Sequence, residues 1–274
     1  YYAPEMAGIS RKRTQMVTLL KVSIEKHEFV PFYQPIVDLN SGEVLGAEAL
    51  ARWISPELGL VPPTEFIPVA EESGLINTIG EQILLQACID TVKGIEEGKW
   101  ARDFRMHVNL SVSQLSSYLF LPQLEEILRI TQLRPSNLAL EITESKIVDN
   151  DPIILSNMLA LKQLGIHIAI DDFGTGYSSL SYLHKLPFDC LKIDRAFVTQ
   201  LNNDHLEESI VAAIINMMKG FKVQLVAEGI ETQEQVDLLH QLNCPQGQGF
   251  LFSKPIPYQE WPTNLVNMRQ KTAN

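Results

Sequence analysis

Asp171 and Asp172 stand side by side at the end of the apolar run His167-Ile168-Ala169-Ile170, and a glycine-flanked turn, Gly174-Thr175-Gly176, follows them. Two adjacent carboxylates repel each other and take up a proton or a cation. A helix cap at Asp172 would explain the pair without any chemistry. Other residues of similar type recur at the ends of strand-like segments: Glu48 and Arg52, Asn109, Glu141 and Glu144, Lys192 and Asp194, Glu228 and Glu231, and Gln248. Each alone has an ordinary structural reading, such as a local turn bond for Asn109 or a lysine stem covering apolar surface for Lys192. Gathered at one rim, so many acids carry a large electrostatic penalty unless cations accompany them. Four or five carboxylates and an amide offer enough oxygen for two hard divalent metals with one Asp shared between them. Two ions about 3.5–4 Å apart suit in-line attack on a phosphodiester. Lys192 and Arg52 would then supply positive charge to the developing phosphorane.

The elements that must bring these residues together follow one repeating pattern. A short apolar strand ends in a polar residue, a loop follows, and then a helical stretch. Strands are expected at 29–39, 44–53, 105–111, 137–143, 166–173, 190–194, 223–230 and 247–253. Helical periodicity marks 76–97, 122–132, 152–164, 205–220 and 232–242, with Thr64 as a candidate cap for a short helix. The first connection is only a tight turn around Asn40-Ser41-Gly42, which joins antiparallel strands. Alternating strands and helices mean an α/β fold with a largely parallel sheet. Eight strands in a chain of 274 residues favour a TIM-like (β/α)8 barrel with an antiparallel first strand. Active sites of such barrels lie at the C-terminal strand ends, where the acids fall. Residues 1–28 read as an amphipathic leading helix and linker, with Met16, Leu19, Leu20 and Ile24 at helical spacing, placed to follow an upstream domain; the barrel domain takes 29–274.

Composition narrows the chemistry. The cysteines, Cys88, Cys190 and Cys244, form no CxxC pair, and the histidines show no HxxxH spacing, so a metal here is expected on oxygen ligands. The net charge of −11 gives no long-range attraction for DNA or RNA, and none is expected as a partner. No apolar run approaches the roughly 20 residues that span a bilayer.

The motifs also resemble a known family. GAEALARW (46–53), preceded by QPIVDL (34–39), is similar to the signature of the EAL-domain cyclic-di-GMP phosphodiesterases. The likeness continues in order through VNLS (108–111), LEITES (140–145), DDFGTGYSSLSYL (171–183), LKID (191–194), VAEGIET (226–232) and QGFLFSKP (248–255). The resemblance implies hydrolysis of cyclic-di-GMP to linear 5'-pGpG by two Mg²⁺ or Mn²⁺ ions and a metal-bound hydroxide, with Ca²⁺ inhibitory. It implies that Glu48, Asn109, Glu141 and Asp171 hold one ion, and Asp171, Asp172 and Glu228 the other. Lys192 would contact the water between them and Gln248 would orient the metal and water network. Gln34, Leu50, Arg52 and Pro255 would line the dinucleotide site. Glu144 would anchor the loop 172–183, through which, with the following helix, the family forms a homodimer. A sensory or GGDEF-type domain is expected upstream, with a cytoplasmic catalytic domain in a protein that is soluble or attached to the inner membrane. Two departures stand out: Phe250 replaces a frequent Tyr, and Pro245-Gln246-Gly247 is an unusual lead-in to Gln248.

Three readings compete. The first is the metal-dependent phosphodiesterase. The second is a non-hydrolysing cyclic-di-GMP receptor, the fate of family members that lost ligands or the DDFGTG loop; this sequence keeps both. The third is a barrel glycosidase with an acid/base carboxylate pair, disfavoured by the shortage of aromatic residues near the strand ends.

Overall fold

The computed structural model describes residues 3–144, 151–174, 183–201 and 205–262. Helix α1 (Ala3–Glu25) leads into strand β1 (Phe29–Asp38), which turns back on β2 (Val44–Ser55). The Asp38 carboxylate makes that turn by accepting from the backbone N–H groups of Asn40 and Ser41, and Gly42 supplies the positive φ of 76°. The pair is antiparallel, as the short turn requires, with Gln34 opposite Glu48.

From β2 the sheet continues in parallel through β4 (Arg105–Asn109), β5 (Leu138–Thr143), β6 (His167–Phe173), β7 (Cys190–Ile193), β8 (Gln224–Ala227) and β9 (Gln246–Gly247). Strand β9 pairs antiparallel with β1 and closes an eight-stranded barrel. All barrel pairings are parallel except the two that β1 makes with β2 and β9, which is the expected architecture.

Helices cover the outside. They are α2 (Pro63–Glu72), α3 (Ile76–Glu96), α4 (Val112–Leu115), α5 (Phe120–Thr131), α6 (Pro152–Leu164), α7 (Arg195–Val198), α8 (His205–Met218) and α9 (Gln233–Gln241). Helix α6 shows why the local sequence is unambiguous. Asp151 accepts from the Ile153 N–H, Pro152 occupies the first turn, and Gly165 at φ 85° ends the helix. None of the described helices is long and apolar enough to cross a membrane.

Several expectations need correction. Strand 247–253 is two residues, Gln246–Gly247, and turns follow it. Its lead-in is therefore the closing strand itself, tied down where Leu39 N–H donates to Pro245 O. Strand 223–230 shortens to Gln224–Ala227. Thr64 is not a cap: α2 begins at Pro63 after Pro62, whose ring already fixes the φ the helix start needs. A third strand, β3 (Gly59–Val61), extends the β2 hairpin outside the barrel.

Side chains facing into the barrel form two layers. In the deeper one, Ile36, Ala169, Cys190 and Val226 pack as a small apolar cluster. Each lies two residues from a polar side chain nearer the mouth: Ala169 from Asp171, Cys190 from Lys192, Val226 from Glu228 and, on the reversed β1, Ile36 from Gln34. Period-two alternation thus lifts the polar groups to one rim. The larger core lies between the strands and the helices, where β5 is apolar on its outward side at Leu138, Leu140 and Ile142.

Candidate active site

Lys192 is the hub of the rim. It is fully buried, and its Nζ lies 2.7 Å from Glu228 Oε1, 2.8 Å from Glu141 Oε2, 3.1 Å from Glu48 Oε2 and 3.5 Å from Asp171 Oδ1. Burial would push the ammonium down, but these four carboxylates hold it well above the ordinary lysine value. It is a charge donor and cannot act as a base near neutrality.

Glu48 is fixed from both sides of β2. Asn109 Nδ2 donates to its Oε1 at 2.7 Å, and Gln248 Nε2 donates to its Oε2 at 2.7 Å. Burial pushes the Glu48 carboxyl up, but Lys192 and the donated hydrogen bonds outweigh it and bring it to about 2. The other acids move the opposite way. Burial and the Glu48 charge hold Glu141 well above the carboxylate range. Burial also raises Asp171, carries Asp172 to about 6 with help from Asp171 and Asp194, and carries Glu228 to about 8.

The two adjacent aspartates reach the same rim through a strand irregularity. Pairing of β6 with β7 shifts register between Ile170 and Phe173, and Asp172 has φ 54°. This break suspends the alternation that would otherwise send Asp171 and Asp172 to opposite faces. In consequence, ligand oxygens of Glu48, Glu141 and Asp171 lie within 4.8 Å of one another, and so do those of Asp171, Asp172 and Glu228. Asp171 belongs to both groups.

This donor set fits hard divalent cations. Five carboxylates face one ammonium among the described residues, and the upward shifts of Glu141, Asp171, Asp172 and Glu228 mark an excess of negative charge that a cation would relieve. Gln248 Oε1 is buried without a hydrogen-bond partner among the described residues, an acceptor aimed at nothing the chain supplies. Asn109, with Nδ2 spent on Glu48, keeps its Oδ1 as a potential ligand.

Two hollows flank the acids. One, of about 250 Å³, is lined by Gln34, Glu48, Leu50, Asp171, Glu228, Gln248 and Phe250, among others. The other, of about 440 Å³, runs between β2 and helices α2 and α3, with Leu50, Arg52, Ile67, Glu71, Ile79 and Gln114 in its walls. They share Glu48, Leu50 and Asp172. Arg52 lies in the second hollow with Glu48, half-buried, its guanidinium 5.7 Å from the Phe32 ring centroid. Phe250 is 51% exposed and presents an open ring to the first hollow, with Lys254 Nζ 5.8 Å from its centroid.

Pro255 lines neither hollow. Its segment runs beside β1, where Ile256 bridges Tyr33 and Gln34 Nε2 donates to Ser253 O. Glu144 is buried and accepts from the Gly174 N–H at 2.7 Å. The remainder of loop 172–183, residues 175–182, lies outside the described residues, and so does the dimer contact expected there. Asp194 caps α7 by accepting from Ala196 N–H, and Arg195 lies 3.8 Å from Glu231.

One neighbour of the acids was not singled out from the sequence. His107 Nδ1 lies 2.8 Å from Glu141 Oε1, both side chains buried. Burial, with Lys192 and Arg105 next, pushes this imidazole down to about 3, so it is neutral. Its place two residues before Asn109 on one strand was the available signal: both side chains face inward.

An uncharacterized signaling protein of Caulobacter vibrioides is 40% identical over 257 residues, covering 94% of this chain and 31% of that protein. The bifunctional diguanylate cyclase/cyclic di-GMP phosphodiesterase MucR of Pseudomonas aeruginosa is 37% identical, covering 95% of this chain and 38% of its own. The chain thus spans about a third of the length of these relatives. A solved structure, the PaMucR phosphodiesterase in complex with c-di-GMP, superposes with a TM-score of 0.86 at 39% identity over 90% of this chain and all of that one. The EAL domain family profile matches residues 18–255, and the chain belongs to the EAL domain family.

Proposed function

We propose that this chain is a metal-dependent phosphodiesterase that hydrolyses cyclic-di-GMP to linear 5'-pGpG. The observation that carries the reading is the pair of acid groups sharing Asp171 around the buried Lys192. Two Mg²⁺ or Mn²⁺ ions, when bound, would supply Lewis acidity that activates the attacking water and offsets phosphate charge. Glu48, Asn109, Glu141 and Asp171 would hold one ion, and Asp171, Asp172 and Glu228 the other.

The chain's own residues have distinct tasks. Lys192 keeps its proton and directs Nζ–H groups into the space among the acids, stabilising negative charge as it builds on the phosphoryl oxygens. Gln248 fixes Glu48 through Nε2 and leaves Oε1 to accept from the attacking water. Gln34, bonded to Gln248 Nε2 at 3.0 Å, ties that amide to the wall of the nucleotide cleft. Leu50 lies where the two hollows meet, which suits a ligand with two bases joined by a compact phosphate ring. Arg52 supplies the cationic side of the second hollow.

Support for the nucleotide comes from the relatives: MucR is named a cyclic di-GMP phosphodiesterase, and the PaMucR structure holds c-di-GMP. MucR is also named a diguanylate cyclase, which supports a GGDEF-type domain upstream of this chain in the longer protein. The complete ligand set favours turnover over a receptor role. The test is incubation with cyclic-di-GMP and Mn²⁺, with and without EDTA, followed by separation of the nucleotides. Metal-dependent pGpG supports the reading; intact nucleotide with bound metal would sink it.

A further inference from the structure

The deeper layer of the barrel is apolar at Ile36, Ala169, Cys190 and Val226, with Ala139 next to His107 on β5. His107 alone among these is a large polar side chain, and a polar group in such a place is costly unless it is hydrogen-bonded. It reaches up one pleat to Glu141. The two Glu141 oxygens are then divided: Oε2 accepts from Lys192 at 2.8 Å, and Oε1 faces His107 Nδ1 at 2.8 Å. With Glu141 ionised, as a metal ligand must be, an unprotonated Nδ1 would set lone pair against lone pair, so in the metal-binding form the proton belongs on Nδ1 and the ring is a donor.

We infer that His107 is a positioning residue for the metal centre, holding the Glu141 carboxylate in a fixed plane so that its remaining lone pairs face the cation site. The inference rests on the metal assignment proposed above. Its basis is geometric. Among the described residues the Glu141 carboxylate is otherwise hydrogen-bonded only to Lys192, and Lys192 is shared with three other acids. A carboxylate held at one oxygen can swing about its Cγ–Cδ bond; one held at both cannot. Groups that orient metal ligands in this way typically contribute 10–100-fold to metal affinity. His107 also stands opposite Glu48 in the β2–β4 register, which places the ring beside the acid cluster.

The test uses two variants and a readout independent of turnover. H107L keeps apolar bulk and removes the donor. H107N keeps a donor, because an Asn amide nitrogen occupies nearly the place of the imidazole Nδ1. Mn²⁺ affinity is measured by isothermal titration calorimetry without nucleotide, and folding is checked by circular dichroism and thermal melting. The expected result is a roughly 10–100-fold weaker Kd for H107L and a Kd within about threefold of wild type for H107N. If H107L fails to fold, H107S replaces it, and the same loss relative to H107N is expected. Wild-type affinity in the folded donor-free variant would overturn the inference. Equal losses in H107N and the donor-free variant would also overturn it, because shape rather than the donated hydrogen bond would then be what matters. Absence of Mn²⁺ uptake by the wild type would overturn the metal assignment itself, an outcome distinct from both.

Discussion

The backbone N–H of Gly174 donates to the buried carboxylate of Glu144 at 2.7 Å, two residues beyond the Asp172 that reaches the metal rim. The acid grips the first turn of the loop, and the grip is tight because Gly174, at φ 100°, has no room for a side chain against Phe197. Glu144→Ala should release this turn and move Asp172. We expect a roughly 10–100-fold loss of Mn²⁺ affinity with a parallel loss of turnover. Calorimetry of the variant checks it; wild-type affinity would show that Glu144 does not position the site.

Lys192→Met removes the one ammonium that, among the described residues, pairs with this nest of acids. Breaking a buried ionic network by deleting one partner costs about 3–5 kcal/mol. Urea unfolding in EDTA at pH 8 should show a loss of this order. The loss should shrink as pH falls, because the acids protonate, and Mn²⁺ should restore part of it. Unchanged metal-free stability would mean that the acids are already neutral without Lys192.

The raised acids give a pH dependence with a definite sign. Asp172 at about 6 and Glu228 at about 8 lie above the unfolded carboxylate values near 4, so the metal-free folded state binds more protons than the unfolded state. Metal-free stability should therefore fall as pH rises from about 4 to 8. Glu48, at about 2, acts only below this window. A cation must displace the bound protons, so Mn²⁺ affinity should rise across pH 6–8 with measurable proton release. Calorimetry in buffers of different ionisation enthalpy checks this; no proton release at pH 7 would contradict it.

Ca²⁺ should bind the same acids without supporting turnover. It takes 6–8 oxygens at about 2.3–2.6 Å in loose geometry, which suits poorly two sites that share one Asp171 carboxylate. We expect inhibition competitive with Mn²⁺. Turnover sustained by Ca²⁺ alone would show that close metal spacing is not required.

The barrel was readable because each strand is a short β-branched or aliphatic run ending in a polar residue, and because Asn40-Ser41-Gly42 is too short for a parallel connection. The rim acids were readable for the same reason: they terminate those runs. Three things were not. Strand β3, at Gly59–Val61, follows Pro56-Glu57-Leu58 and looks like loop, since three residues carry no period. The shared orientation of Asp171 and Asp172 depends on a break in strand pairing, and alternation alone predicts opposite faces. His107 belongs to no spaced motif, and only its phase relative to Asn109 places it inside the barrel.

In the proposed reaction, Glu48, Asp171 and their neighbours hold the metals that cleave cyclic-di-GMP. Single-turnover incubation of wild type and Glu48→Ala with cyclic-di-GMP and Mn²⁺, under the same conditions, tests it most directly. The wild type should yield linear pGpG, with none in EDTA and none from Glu48→Ala despite a native circular dichroism spectrum. Undiminished pGpG from Glu48→Ala, or wild-type protein that binds the nucleotide and Mn²⁺ and leaves the ring closed, would contradict it.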